Sequence, residues 1–181
     1  TYRWFEIQDS IEYWREFDKP KIFYQDIAWR AQFCLDGDRR LSNNTTHFIV
    51  SVDRWLLAVL NSPLAWWFSW RRAQHGKDEA LRLFRDFMEL FPIAKPSDQA
   101  RQIAVVAVNR IIEIARNHQA TRRTILDWLR VEFEIEKATL KLQSPIDLDD
   151  DAFVGEVKKV RGKKKPLTAA GLKALRDEYA R

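Results

Sequence analysis

The feature that most constrains the fold is a sixteen-residue apolar stretch, WLLAVLNSPLAWWFSW, at residues 55–70. Asn61, Ser62 and Pro63 interrupt it, and charged residues stand on both sides. A membrane-spanning helix needs about twenty apolar residues without such a break. Ser followed by Pro is the order of an N-cap and a first helical position. The stretch therefore predicts two consecutive core helices, at 53–61 and 62–72, and no membrane span.

The first half of the chain mixes strand and helix signals. Residues 4–8 predict a short strand, and Asp9 or Ser10 can cap a helix that runs to Phe17. After Pro20, residues 21–27 are rich in strand formers.

Turn signals divide the rest of this half. Residues 32–35 are predicted to pair with residues 45–52 across the turn-rich DGDRRLSNN. Residues 74–78 are predicted to be loop, and residues 81–87 alternate like a strand.

The second half reads as helical. Ser97 can cap a helix to about Asn117, with an apolar stripe formed by Ile103, Ala107, Ile111 and Ile114. Another helix is predicted to open at Thr121 or Thr124. Two more follow, one carrying Phe153, Val157 and Val160, the other capped by Thr168 with Leu172, Leu175 and Tyr179.

The fold class that follows is α+β: a small mixed sheet with packed helices, followed by an α-helical C-terminal part. We predict a recognition module at 1–96, a helical extension at 97–145, and a basic linker with a C-terminal helix at 146–181.

Composition narrows the class of protein. Of 181 residues 46% are apolar, including eight Trp and eleven Phe, enough for a sizeable core. The net charge of +5 is unevenly spread, −3 over residues 1–18 and +8 over the rest, which permits a nucleic-acid partner. The single cysteine, Cys34, excludes a disulfide framework and a cysteine-built zinc site, and suits a cytoplasmic location. The chain begins at Thr1 without a signal peptide, so we expect it to be a piece of a longer protein.

One charged run has two interpretations. Acidic residues at 147–151 are followed by KKVRGKKK at 158–165, six cations in eight residues. The run is either a solvated linker or an arm that contacts phosphates.

Catalytic motifs are absent from the sequence. Five scattered glycines cannot build a phosphate loop, and His47, His75 and His118 lack metal-site spacing. NSPL at 61–64 lacks the aromatic residue of the Asn-Pro-Pro-aromatic motif that holds a flipped base, and the helix restart explains it fully. Asp147 with Glu156 and Lys158 matches the residue pattern of a metal-dependent nuclease core. The part of the pattern that contains Glu156 and Lys158 is predicted to be helical, which does not suit such a core. We therefore predict no catalytic, cofactor-binding or metal-binding residues in this chain.

The remaining signal is a set of basic and amide side chains on loops, which have the donor geometry to bind phosphates or base edges. The candidate DNA-contacting residues are Arg30, Gln32, Arg39, Arg40, Asn43, Arg71, Arg72, His75, Lys77, Arg82 and Arg85.

Five segments then occur in a characteristic order: WFEIQ at 4–8, FDKPKIFYQDIA at 17–28, NNTTHFIV at 43–50, LLAVLNSPLAWWF at 56–68 and FMELFPIAKP at 87–96. Together they resemble the TaqI-like C-terminal specificity domain, the target-recognition part of adenine-specific DNA methyltransferases. The helical remainder resembles the tail that such proteins often carry. Within these segments Lys19 to Lys21, Asn44 with Thr45, and Asn61 with Ser62 match the recurring pattern, and we expect many of them to be structural.

The resemblance implies double-stranded DNA as a partner and an upstream methyltransferase domain in the same chain. That domain would bind S-adenosylmethionine, and this segment would contain no cofactor. It also implies a parent of the restriction–modification or phage-defence type, such as a type II restriction enzyme methylase subunit, which could be fused to an endonuclease. We expect no methyl transfer from this chain alone. The rival hypothesis is a protein-interaction module that docks on the catalytic domain or a partner subunit, without DNA binding of its own.

Overall fold

The computed structural model describes Arg3 and residues 12–162 and 166–179. The chain divides into two compact units, Thr1–Asn109 and Arg110–Arg181. The first contains the strands and several short helices, and the second is helical, so the α+β class is confirmed. The strand predicted at 4–8 and the cap predicted at Asp9 or Ser10 lie outside the described residues. A 3₁₀ helix, Glu12–Asp18, occupies the end of the helix predicted there.

The first sheet is centred on strand β1, Lys21–Gln25, whose first four residues are buried. Strand β3, Cys34–Asp36, and strand β4, Thr46–Ile49, pair with it antiparallel on either side. The predicted pairing of 32–35 with 45–52 is therefore wrong. Because β1 is buried at consecutive positions it takes the centre of the sheet, and the other two strands become its edges.

The first unit also contains a second antiparallel sheet, whereas we predicted one small mixed sheet. It orders strand β2, Ile27–Ala28, beside β6, Leu81–Arg82, and then β5, Gln74–His75. The loop predicted at 74–78 thus contains β5 and a 3₁₀ turn, Lys77–Glu79. The strand predicted at 81–87 ends at Arg82, since helix α3, Arg85–Glu89, turns Phe87 onto the ring of Phe68.

The two helices predicted from the apolar stretch are confirmed as α1, Arg54–Leu60, and α2, Pro63–Arg72. The Asp53 side chain accepts from the Trp55 amide at 2.9 Å and caps α1. The Ser62 hydroxyl accepts from the Ala65 amide at 3.1 Å and caps α2. No helix in the described part of the chain is long and apolar enough to cross a membrane.

Helix α4 runs unbroken from Asp98 to Phe133. The end predicted near Asn117 and the restart at Thr121 or Thr124 are wrong, because no glycine or proline interrupts this stretch. The predicted stripe is also exposed: Ile103 and Ile111 are each 64% accessible and Ile114 is 54% accessible. Val108, which lies outside that stripe, is the buried residue of this part of the helix.

The second unit has its own core. Leu129 and Phe133 of α4 pack with residues of α5, Asp150–Arg161, and α6, Ala169–Tyr179. These last two helices were predicted, and the Thr168 hydroxyl accepts from the Gly171 amide at 3.1 Å, as a cap does. A 3₁₀ turn, Pro145–Asp147, precedes α5. The buried core residues are Leu129, Phe133, Ile135, Leu142, Phe153, Val157 and Leu175.

Candidate nucleic-acid interface

The second sheet brings together candidates that are far apart in the sequence. The register pairs Ile27 with Arg82 and Gln74 with Arg82, so the ends of β2 and β5 lie on either side of β6. Arg30 and Gln32 follow β2, and Arg71 and Arg72 end α2 directly before β5. The candidates placed at this sheet are Arg30, Gln32, Arg71, Arg72, His75, Lys77, Arg82 and, just beyond β6, Arg85.

The end of α2 presents two open cations, by which we mean exposed cationic side chains without an ion pair to a described residue. Arg71 lies over the Trp67 ring, with its guanidinium carbon 5.7 Å from the ring centroid. Arg72 is exposed, and neither arginine forms an ion pair with a described residue. The His75 Nε2–H donates to the Trp70 carbonyl at 2.8 Å, and the two rings meet edge to face at 4.7 Å. His75 thus ties β5 to the helix end and keeps Nδ1 for another partner.

The tip of the β5–β6 hairpin is held in an unusual conformation. The Gly76 amide donates to the Ala80 carbonyl at 2.7 Å, and Asp78 and Glu79 have φ values of 54° and 60°. Left-handed backbone at residues other than glycine costs about 1 kcal/mol each. The Trp29 indole N–H donates to the Asp78 carbonyl at 3.1 Å and fixes the tip against the end of β2. Lys77 is exposed beside it, without an ion pair to any described residue.

Arg82 is differently placed from Arg71 and Arg72. Its guanidinium donates to both carboxylate oxygens of Asp26, at 3.1 and 2.7 Å, and lies 4.5 Å from the Phe84 ring centroid. A bidentate, partly buried pair of this kind neutralises the charge and fixes the side chain. Contact of Arg82 with DNA stays a prediction, and it would have to share the guanidinium with Asp26.

Three further candidates at this sheet, Arg30, Gln32 and Arg85, also have partners inside the chain. With the Gln32 amide oriented so that its oxygen accepts, Arg30 donates to it at 3.1 and 3.0 Å. Arg85 forms an exposed ion pair with Glu89 at 2.6 Å, and that hydrogen bond raises the pKa of the guanidinium. Both arginines are exposed, so the partners shield their charges only weakly.

The remaining candidates, Arg39, Arg40 and Asn43, lie in the loop between β3 and β4, on the first sheet. Arg40 pairs with Asp38 at 3.0 Å. The Asn43 side chain accepts from the amide and the hydroxyl of Thr45, at 3.1 and 2.6 Å, so it organises the turn before β4. Arg39 has a φ of 57°, is exposed, and pairs with no described carboxylate.

A buried ion pair anchors this loop. Lys21 is fully buried, with its ammonium 3.0 Å from Asp36 and 2.7 Å from the Phe17 carbonyl. The amides of Asp38 and Arg40 also donate to the Asp36 carboxylate. Burial raises the pKa of Asp36, but these hydrogen bonds outweigh it and hold the pKa below its usual value. Lys21, one of the residues expected to be structural, therefore shapes the loop that carries Arg39.

Asn61, one of the residues that match the recurring pattern of the resembled family, also has a structural role. Its side chain accepts from the Phe33 amide and donates to the Phe33 carbonyl, both at 3.0 Å, and donates to the Leu57 carbonyl at 3.0 Å. The carboxamide thus pairs with the chain before β3 as another strand would. Base-flipping chemistry at NSPL is not supported, because the amide is already occupied.

The described residues contain no group of three or more His, Cys, Asp or Glu side chains that could hold a metal ion. Glu156, one residue of the nuclease-like pattern, lies in helix α5, as predicted. Its carboxylate accepts from the Thr139 hydroxyl at 2.6 Å, a hydrogen bond that lowers the Glu156 pKa. Glu156 therefore links helix α5 to the loop that contains Thr139.

Sequence reasoning missed the exposed aromatic rings of this region. Trp29 is 61% and Trp67 56% accessible, and Trp70 and Phe84 are also exposed. The signal that could have indicated them is the count of eight tryptophans in the sequence. Tryptophan is highly buried on average, so indoles exposed at the surface stand out. Rings next to open cations can contact sugars and base faces while the cations contact phosphates.

Comparison with known families gives two adjacent matches. Residues 3–93 match the family model described as the TaqI-like C-terminal specificity domain. Residues 97–181 match a domain of unknown function (DUF8810). Searches of curated proteins and of solved structures gave no significant match.

Proposed function

The chain belongs to the TaqI-like C-terminal specificity domain family, and from that premise we propose that it is the target-recognition part of an adenine-specific DNA methyltransferase. The family is consistent with a DNA target-recognition domain. The chain would read a site in duplex DNA, and the methyl transfer would take place on another domain.

One observation carries the proposal. Three open cations, Arg71, Arg72 and Lys77, lie with the exposed indoles of Trp29 and Trp67 around one three-stranded sheet. Arg71, Arg72 and Trp67 lie in helix α2, which the His75–Trp70 hydrogen bond ties to β5. The Trp29–Asp78 hydrogen bond ties Trp29 to the hairpin tip next to Lys77. Side chains on a rigid support can hold a register on the duplex, which is a condition for reading a sequence.

The parent enzyme is the finer part of the proposal. An upstream domain of the same chain would bind S-adenosylmethionine, extrude an adenine and methylate its exocyclic amine. Base extrusion favours two domains, because one must hold the duplex while the other receives the base. A cytoplasmic restriction–modification or phage-defence enzyme fits this division, with or without a fused endonuclease.

A selection experiment tests the proposal. The chain is incubated with a pool of random-sequence duplexes, and the bound fraction is amplified and sequenced over several rounds. Enrichment of a common motif is the expected result. A pool that stays random while the protein remains folded, by circular dichroism, would overturn the proposal.

A second function is favoured by the exposed face of α4. Ile103, Ile111 and Ile114 lie at helical spacing and are each more than half accessible. Such a face can dock on a catalytic domain or a partner subunit. The two functions can coexist, and binding to the upstream domain without any binding to DNA would leave only the second.

A further inference from the structure

Most of the net positive charge of the chain lies outside the recognition unit. Residues 110–181 contain sixteen Lys and Arg against twelve Asp and Glu, a net charge of +4. Residues 1–109 contain fifteen against fourteen, a net charge of +1. Attraction to the phosphates of DNA does not depend on sequence and grows with the number of cations in contact. The helical unit is therefore better charged for that attraction than the unit expected to read bases.

Helix α5 separates charge along its length. Its first turn holds Asp150 and Asp151, and its last turn holds Lys158, Lys159 and Arg161. Arg176 lies 3.5 Å from the Asp150 carboxylate and 2.9 Å from that of Asp151. One arginine thus partly compensates the two carboxylates of the acidic end.

The basic end is only partly compensated, because Lys159 has an ion pair and the Arg161 guanidinium lies 5.6 Å from the Phe133 ring centroid. Lys158 is exposed and pairs with no described carboxylate. Lys159 lies 3.5 Å from Glu156, whose carboxylate already accepts from the Thr139 hydroxyl at 2.6 Å. The carbonyls at the end of a helix favour nearby cations by a few tenths to about 1 kcal/mol, which explains why they are tolerated there but does not neutralise them.

These cations border a concave surface. Lys158, Lys159 and Arg161 line a cavity of about 530 Å³ together with Pro166 and Leu167. Gly162, with a φ of 65°, ends the helix at its rim. Three further lysines follow in the sequence, at 163–165.

We propose that the C-terminal end of α5 binds the phosphate backbone of duplex DNA as an anchor independent of sequence, separate from the candidate interface of the first unit. The inference rests on the proposed function for its choice of DNA as the partner. Lysine suits this role because its ammonium acts as a point charge that contacts phosphates without a fixed geometry. An acidic protein is the other partner that could bind this end.

The test measures DNA affinity of the full chain as a function of salt. The variant Lys158→Gln with Lys159→Gln removes two exposed cations and keeps helix propensity. Arg116→Gln with Arg123→Gln removes the same charge from exposed positions of α4 in the same unit. Each protein is titrated with the duplex enriched by selection and with a scrambled duplex of equal length.

We expect the Lys158 and Lys159 variant to lower the slope of log Kd against log salt by about 2 and to weaken binding to both duplexes by the same factor. The Arg116 and Arg123 variant should leave the slope nearly unchanged. An unchanged slope in the first variant, as for a site that binds an acidic protein, would overturn the anchor. Equal losses in the two variants, as for a net-charge effect, would also overturn it.

The two proposals fail in different ways. Wild-type chain that binds both duplexes equally, with a slope that falls in the Lys158 and Lys159 variant, would refute sequence recognition and leave the anchor standing. Wild-type chain that prefers the selected duplex, with an unaltered slope in that variant, would refute the anchor alone.

Discussion

Arg82 binds Asp26 through two hydrogen bonds, from Nε to Oδ1 at 3.1 Å and from a terminal nitrogen to Oδ2 at 2.7 Å. Asp26 stands between β1 and β2, where one sheet passes into the other. Its amide donates to the Thr45 carbonyl at 3.0 Å, and its carbonyl accepts from the Leu83 amide at 2.8 Å. The residue therefore connects both sheets through its backbone and its side chain.

Loss of this pair should lower stability. We expect Asp26→Ala to reduce the free energy of unfolding by about 1–2 kcal/mol, because a charge-assisted bidentate bond is lost and Arg82 stays partly buried. Glu89→Ala, which removes the exposed pair with Arg85, is the matched control and should change little. Urea denaturation measures both, and equal effects would contradict a structural role for the Asp26–Arg82 pair.

The buried pair of Lys21 and Asp36 should make stability depend on pH. The Asp36 pKa is lowered in the folded state, so its contribution is complete above the unfolded value of about 3.9 and is lost as the pH falls through the folded value. Replacing Lys21 by Met alone would leave the buried Asp36 carboxylate with two amide hydrogen bonds and the exposed Arg40 at 3.7 Å, without its buried partner, at a cost of about 3 kcal/mol.

The double variant Lys21→Met with Asp36→Leu is the control for that prediction. We expect it to recover much of the loss and to show a smaller fall in stability than the wild type when urea denaturation is repeated between about pH 5 and pH 2. Parallel pH profiles for the two proteins would show that Asp36 does not contribute in this way.

Asn61 should be a stability residue. Asn61→Ala removes three hydrogen bonds and leaves the Phe33 amide and carbonyl without that partner, so we expect a loss of about 2 kcal/mol. Ser62→Ala, which removes only a helix cap, should cost about 1 kcal/mol. Thermal unfolding of the two variants checks the order, and a smaller effect for Asn61→Ala would contradict the tie to Phe33.

Local signals predicted α1, α2 and α6 well, but not the unbroken length of α4 or the sheets. The caps at Asp53, Ser62 and Thr168 follow from side chains within a few residues of the amides they bind, so α1, α2 and α6 could be read directly. The position of β1 between β3 and β4 depends on burial from both sides. That is a tertiary property, which a hairpin rule applied to neighbouring segments cannot supply.

The same limit applies to the candidate interface. Residue chemistry indicated Arg71, Arg72 and Lys77, and the structure places them at one sheet. Residue chemistry alone could not show that Arg82 is held by Asp26, 56 positions away in the sequence. Nor could spacing show that Trp29 binds the hairpin tip at Asp78, because the pairing of β2 with β6 creates that contact.

Arg71 and Arg72 should supply phosphate contacts. Replacing both with Gln should lower the slope of log Kd against log salt by about 2 on any duplex, since each phosphate contact contributes about 0.9. Arg40→Gln with Arg85→Gln removes the same charge from arginines already paired with carboxylates, and should have a smaller effect. Equal slopes for the wild type and the Arg71 and Arg72 variant would remove these two residues from the interface.

The most direct test of sequence recognition is the ratio of two dissociation constants. Kd is measured for the full chain with the duplex enriched by selection and with a scrambled duplex of the same composition, at about 0.15 M salt. Specific complexes bind about 10³-fold or more tightly than non-specific ones. We predict a ratio of that order, and equal constants for the two duplexes would contradict target recognition by this chain.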